Sequence, residues 1–405
     1  RSLSDRNIQK DDTLTVSKSN AVPSFFASTV WQDLGELRNN TDTLGSNIAI
    51  DKNNNPFVIS HDIYNRVLVY HFVDESWQLL GGEVLSNEGA FQTDIVVDGN
   101  NTIYAAYVTK RNETKVVVKA FDGNTWRQLG SGQLTGSSMK YVDLKVDSNN
   151  VLHIAYNDPK AKVKKWDGSN WVDVGESISY SSIKNPELVF NSQNQLHITY
   201  TNVGRNKNTT HVKRFDNNSW RSLSLEGLPD IQTHFPKLAF DSHDVPYISF
   251  IEDLLSRSSG IVRVFKYKNE SWESVGDTSQ LSAIQFAYLL ISSRNEPYIA
   301  FSEFNTNGKG QLYTYQSESW QLVGQITPEG KNYYGIRMDA KFDSNDTFYA
   351  VDNTSEVSRP FAVKKEYAFF GNYSKTIQED SASEFLFRNV TVSDTDLDDV
   401  TLSII

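Results

Sequence analysis

Seven tryptophans recur along the chain at nearly even intervals: Trp31, Trp77, Trp126, Trp171, Trp220, Trp272 and Trp320, spaced 46, 49, 45, 49, 52 and 48 residues apart. Each opens the same short phrase (WQDLG, WQLLG, WRQLG, WVDVG, WRSLS, WESVG, WQLVG), and a degenerate eighth copy, YAFFG, starts at Tyr367. Five residues before each Trp stands another aromatic: Phe26, Phe72, Phe121, Trp166, Phe215, Tyr267 and Tyr315. A second phrase alternates with the first: DKNNNPFVIS, DGNNTIYAAY, DSNNVLHIAY, NSQNQLHITY, DSHDVPYISF, SSRNEPYIAF and DSNDTFYAVD, beginning at Asp51, Asp98, Asp147, Asn191, Asp241, Ser292 and Asp343. A two-part unit repeated seven times means that one supersecondary element is stacked on its own copies.

Each unit reads as four short strands. An alternating run such as TDIVVD (Thr93 to Asp98) leads into a turn of Asp, Ser and Asn, residues that tolerate positive φ. A β-branched and aromatic run of the IYAAY type follows, then a third strand such as VVVKAF, a DGNT-like turn, and the Trp phrase as the fourth strand. No stretch keeps a 3.6-residue apolar period, so helix is expected to be scarce. Four-stranded units of about 45 residues, repeated, specify an all-β fold, a seven-bladed β-propeller of four-stranded blades with extra strand segments at both ends. The expected organisation is an extension at 1–22, the propeller at 23–371, and at 372–405 a linker with the first strands of another domain or a donated strand. The Trp31 phrase is expected to close the ring beside the last blade, with the Tyr367 phrase as the alternative.

Composition excludes several function classes. With 39 Lys and Arg against 50 Asp and Glu, the net charge is −11, and no basic cluster offsets it, so neither nucleic acid nor direct membrane insertion is expected. There is no cysteine, which removes disulfides, thiol nucleophiles and zinc–thiolate sites. No apolar run reaches membrane-spanning length.

The phrases FDGNTW, WDGSNW and FDNNSW, with Asp122, Asp167 and Asp216 at the acidic position, resemble the Asp-box hairpin of sialidases and of several non-enzymatic sorting or adhesive propellers. That resemblance implies a structural Asp that bridges turn amides. The tail, IQEDSASEFLFRNVTVSDTDLDDVTLSII from Ile377, is similar to the opening of cadherin-like or immunoglobulin-like tandem repeats of surface adhesins, through Glu379, Asp380, the stretch Phe385 to Val392 and the acidic run from Asp394. It implies a candidate calcium site at Asp394, Asp396, Asp398 and Asp399, with a solvated acidic turn as the alternative; Ca²⁺ is the one candidate cofactor.

Four residues before each hairpin phrase stand Asn47, Asp94, Asp143, Glu187, Lys237, Tyr288 and Asp339, on the strand face opposite the apolar flanks. They are expected to line the central channel, where Asp94, Asp143, Glu187 and Asp339 either hold a cation or simply face water. His153 and His197 occupy a repeat position filled elsewhere by Phe57, Tyr104, Tyr247, Tyr298 and Tyr349, which marks a packing site. No HExxH, GxSxG or P-loop occurs, and the arginines, Arg66, Arg111, Arg205, Arg257 and Arg337 among them, share no repeat position. Asn-x-Ser/Thr triplets at Asn39, Asn100, Asn112, Asn208, Asn217, Asn269, Asn345, Asn353, Asn372 and Asn389 are candidate glycosylation sites of a secreted or cell-surface protein.

The loops between second and third strands and the connectors between blades share one face of a propeller. TNVGRNKNTTH from Thr201, IEDLLSRSSG from Ile251, SEFNTNGKG from Ser302 and SLEGLPDIQTHFP from Ser224 make that face the expected ligand surface. The leading expectation is a non-enzymatic extracellular adhesive or structural module, partnered by other copies of itself or by neighbouring extracellular domains. A carbohydrate-binding, lectin-like propeller is the alternative, and a secreted glycan hydrolase or lyase the next.

Overall fold

The computed structural model describes residues 32–37 and 46–365, apart from short stretches at 63, 87, 110–113, 131–133, 137–138, 159, 177, 254–259, 304–308, 328–337 and 354–359. It also describes the terminal strands Thr13–Val16, Lys375–Gln378, Val390–Asp394 and Val400–Ile404. The chain divides into two compact units, residues 32–364 and residues 1–31 with 365–405.

Among the described residues the strands of the larger unit fall into seven four-stranded antiparallel meanders, the fifth and sixth joined into one eight-stranded sheet through the pairs Gly260 with Ala283 and Ile261 with Ser282. Blade 1 runs Asn47–Ile50, Pro56–His61, Val67–Val73 and Ser76–Leu79. Blade 2 runs Ala90–Val97, Ile103–Thr109, Thr114–Phe121 and Trp126–Gln128, and blade 3 runs Val142–Val146, Leu152–Asp158, Lys160–Trp166 and Trp171–Asp173. Blade 4 comprises Ile183–Phe190, Leu196–Val203, Asn208–Asp216 and Ser219–Ser222; blade 5 comprises Thr233–Phe240, Pro246–Asp253, Gly260–Lys268 and Ser271–Ser274. Blade 6 is Ser282–Ile291, Pro297–Glu303, Gly310–Gln316 and Ser319–Gln325. In blade 7 the inner three strands are Asp339–Phe342, Phe348–Asn353 and Pro360–Lys365, and the outer strand is Gln32–Glu36 from the N-terminal side. The Trp31 phrase therefore closes the last blade. The YAFFG phrase lies outside the described residues.

The apolar cores sit between blades, not within them, because each sheet has two faces to cover. Ile59 and Val69 of blade 1 pack with Ile95 and Ala105 of blade 2, Ala155 and Val163 of blade 3 with Leu188 and Ile198 of blade 4, and Tyr349 and Val351 of blade 7 with Ile48 and Val58 of blade 1. The last of these clusters joins the two ends of the repeat array. Burying apolar area face to face at about 25 cal/mol per Å² is what drives such stacking.

The smaller unit is a pair of two-stranded sheets, Thr13–Val16 with Lys375–Gln378 and Val390–Asp394 with Val400–Ile404. The division between the units falls at 32 and 364, inside the limits of 23 and 371 expected for the propeller. The N-terminal extension and the tail form one unit, because their strands pair with each other.

Candidate functional site

Three sets of repeat residues turn out to hold the blades together. The first is the inner ring. Asp94 accepts the Leu144 N–H at 2.5 Å, Asp143 the Leu188 N–H at 2.8 Å, Glu187 the Leu238 N–H at 3.2 Å, and Asp339 the Ile48 N–H at 2.9 Å. Each bond runs from one blade's inner strand to the carboxylate of the blade before it, and the last joins blade 7 to blade 1. Asn47 continues the series by accepting from the Thr93 hydroxyl at 3.1 Å. Lys237 bonds Glu187 at 3.2 Å and lies 4.7 Å from the centroid of the Tyr288 ring.

Burial, with the Asp143 charge adding to it, pushes the Asp94 carboxyl up to about 7. Burial likewise raises Asp143. Lys145, 3.2 Å from Asp143, is held above its usual range: burial opposes its charge, but the surrounding carboxylates outweigh that. The four carboxylates thus each commit an oxygen to a neighbouring backbone amide. Among the described residues no three His, Asp or Glu side chains come together to hold a metal.

The second set is the ring of hairpin turns. Asp98 Oδ1 accepts the N–H groups of Asn100 and Thr102 at 2.9 and 2.8 Å, and Asp51, Asp147, Asp241 and Asp343 do the same in their own turns. The fourth turn residue takes positive φ, as at Asn150 (62°) and Asn194 (60°), and reaches back to the turn of the preceding blade. Asn150 accepts from Gly99 N, Asn194 from Ser148 N, Asp244 from Ser192 N, Asn295 from Ser242 N, Asp346 from Ser293 N, and Asn54 from Ser344 N. Asn101 Oδ1 is buried without a hydrogen-bond partner, and between blades 1 and 2 Lys52 Nζ donates to the Gly99 carbonyl at 3.1 Å instead.

The third set is the tryptophans. Each of the six described, Trp77 to Trp320, lies tilted against the aromatic five residues earlier, its cross-strand partner, with centroids 5.1 Å apart for Phe121–Trp126 and 4.9 Å for Tyr267–Trp272. The indole N–H of Trp126, Trp171, Trp220, Trp272 and Trp320 donates to the carbonyl of Leu80, Leu129, Val174, Ser224 and Val275 in the preceding blade. Gly81 at φ 72° lies under this pair, where a Cβ would stand 2.9 Å from Trp126. Trp77, facing the closing strand, keeps a buried Nε1 without a hydrogen-bond partner.

The Asp-box-like turns divide. Asp122 accepts the Asn124 and Thr125 amides, and Asp167 those of Ser169 and Asn170, which holds both carboxyls below the usual range. Asp216 does not act in this way. Its hairpin is a two-residue turn with both Asn217 (49°) and Asn218 (60°) at positive φ. Its carboxylate instead faces Arg214 at 3.8 Å and Arg221 at 3.7 Å.

That departure lies beside a cavity of about 510 Å³ between the hairpin turns of blades 4 and 5. Blade 4 contributes Gln195, His197, Arg214 and Arg221, and blade 5 contributes Phe240, Tyr267 and Glu270. Ser224, which stands at the glycine position of the repeat in WRSLS, is part of the lining. The connector beyond it runs along blade 5, with Glu226 accepting the Trp272 N–H at 2.8 Å. Arg214 Nε is buried with no hydrogen-bond partner, while Arg221 and Glu270 are exposed and Tyr267 is half-buried. His197 is packed on Phe240 at 4.7 Å with Nδ1 against the Gln195 carbonyl, and burial brings its pKa down to about 4, so its ring is neutral. His153 packs the same way on Phe190.

This cavity is on the hairpin face, opposite the loop face expected from the sequence. Of the loops thought to form a ligand surface, the one after Thr201 is short, since the flanking strands run to Val203 and from Asn208. Residues 254–259 and 304–308 lie outside the described residues. The repeat does not single out the arginines of the cavity: Arg214 stands where other copies carry His71, Ala120, Lys165, Lys266 and Thr314, and Arg221 shares its position only with Arg127. The visible signal was WRSLS, the one Trp phrase of the seven without its glycine.

Of the sequons, Asn100, Asn217, Asn269 and Asn345 occupy exposed hairpin turns, and Asn208 is half-buried at the start of Asn208–Asp216. Asn353 ends Phe348–Asn353. Asn39, Asn112, Asn372 and Asn389 lie outside the described residues, as do Asp396, Asp398 and Asp399; Asp394 ends its strand opposite Val400.

No protein-family model matches the chain, and no curated protein sequence matches it. Solved structures do. An ulvan lyase of polysaccharide lyase family PL25 superposes with TM-score 0.59 at 11% identity, covering 82% of this chain and 95% of the lyase. The fucose lectin of Aleuria aurantia, a six-bladed β-propeller, aligns at 16% identity and TM-score 0.46 over 72% of this chain and 99% of the lectin. A protein of unknown function from Dyadobacter fermentans aligns at 9% identity and TM-score 0.49, over 68% and 94%. At such identities the likeness is one of fold, and the chain is a β-propeller. No helix among the described residues is long and apolar enough to cross a membrane.

Proposed function

We propose that this propeller is a non-catalytic extracellular glycan-binding module serving adhesion, with its binding site in the cavity between blades 4 and 5. The observation that carries this reading is the juxtaposition there of a half-buried Tyr267 and the arginine pair Arg214 and Arg221, of which Arg214 retains a buried donor without a hydrogen-bond partner. An aromatic face beside a few convergent polar groups is the arrangement that holds a sugar ring. The repeat needs neither arginine for its own blade contacts, since the carboxyl ring, the turn ring and the tryptophans already supply them.

Hydrolysis or elimination would require a base able to take a proton near neutral pH. His197 in the cavity has its basicity lowered to about 4 by burial, which makes it a weak base.

The test is an immobilised panel of neutral and acidic glycans probed with the wild type, Tyr267→Ala and, as a distant control, Tyr180→Ala. Saturable binding lost only in Tyr267→Ala supports the reading. A wild type that retains nothing on the panel, or product release from any polysaccharide, sinks it.

A further inference from the structure

Resting on that reading, we infer that the ligand is an uncharged sugar carrying a vicinal diol, held between the arginines and Glu270 with its ring against Tyr267. The cavity is not a cationic pocket. Arg214 and Arg221 are matched by Asp216 beside them and by Glu270 and Asp244 in the lining. Asp244 is already engaged, accepting from the Ser192 N–H and hydroxyl at 2.8 Å each. That leaves Arg214 and Arg221 as donors and Glu270 as acceptor for a ligand.

A sulfate or uronate entering here would meet two arginines but three carboxylates, on a chain whose net charge of −11 already repels polyanions. Adjacent hydroxyls suit the set better, because each donates to a carboxylate and accepts from a guanidinium in the same plane. The Asp216–arginine distances, 3.7 and 3.8 Å, are too long for hydrogen bonds, so the guanidinium N–H groups are not saturated by that carboxylate.

Isothermal titration of the full chain with neutral mono- and disaccharides, and with sulfated and uronate oligosaccharides, at 50 and 500 mM NaCl decides the matter. The expected result is saturable binding of a neutral sugar with a Kd that salt leaves unchanged, weakened about tenfold or more by Arg214→Gln and by Glu270→Gln. Urea unfolding of both variants, with a midpoint matching the wild type, verifies that the blades are intact. Arg221→Lys, which retains charge but loses the planar fork, is expected to weaken binding as well.

Tighter, salt-sensitive binding of the sulfated or uronate ligands overturns the uncharged class and leaves the glycan-binding reading standing. Neutral binding that none of the cavity variants alters overturns the assignment to this cavity. No binding of either kind overturns both.

Discussion

The indole Nε1–H of Trp126 donates to the carbonyl of Leu80 at 3.2 Å, and so ties the outer strand of blade 2 to the end of blade 1. Five tryptophans make this bond to the preceding blade, and Trp77 does not. The repeat tryptophan is therefore a joint between blades, and its removal should cost differently from place to place.

Trp126→Phe retains a ring for Phe121 but orphans the Leu80 carbonyl. It should destabilise the propeller by about 1–2 kcal/mol more than Trp77→Phe, which breaks no hydrogen bond. Urea unfolding followed by fluorescence compares the two; equal losses would show that the hydrogen bond contributes nothing.

Gly81 and Gly82 are neighbours at φ 72° and 67°, but only Gly81 is covered, a Cβ there standing 2.9 Å from the Trp126 ring. Both alanine substitutions incur the left-handed strain of about 1 kcal/mol. Gly81→Ala must also displace the indole and should lose at least about 1 kcal/mol more than Gly82→Ala. Thermal melts of the pair give the difference directly.

Asp94 and His197 impose opposite pH dependences. Asp94 is raised from 3.8 to about 7, so the folded state holds its proton more tightly than the unfolded chain does. Through this group the protein gains stability as pH falls from about 7 towards 4. His197 is lowered from 6.5 to about 4, so the unfolded chain protonates first and stability falls over the same window. Asp94→Asn should make the melting temperature fall more steeply on acidification, and His197→Phe should make it fall less. Variant curves parallel to the wild type between pH 4 and 7 would contradict this assignment.

Asn269 precedes Glu270 in an exposed turn at the mouth of the blade 4–5 cavity, within the sequon Asn269-Glu270-Ser271. A glycan on Asn269 should hinder entry. Protein from a glycosylating host is expected to bind sugar more weakly than Asn269→Gln from the same host, whereas Asn345→Gln, in the turn of blade 7, should change nothing. Equal affinities of all three, with mass spectrometry verifying occupancy at Asn269, would count against the placement of the site.

The repeats determined the fold before any coordinate did. Trp phrases and Asp turns at regular spacing announce four-stranded units, because each unit leaves an apolar face that another copy must cover. That one outer-strand phrase is surplus was legible for the same reason, since eight phrases, counting the degenerate YAFFG copy, met seven inner hairpins; the pairing of Gln32–Glu36 with Pro360–Lys365 chose the Trp31 phrase. The tertiary structure decided what the residues within the repeat do. Asp94, Asp143, Glu187 and Asp339 share a strand face in the sequence, but only the stagger between adjacent blades sets each carboxylate against the amide of the next, some fifty residues away or, at the closure, nearly three hundred. Arg214 on one blade and Tyr267 on the next belong to different copies of the unit. No period links them; the packing of blade 4 against blade 5 does, beside Ser224, which stands where the repeat carries glycine.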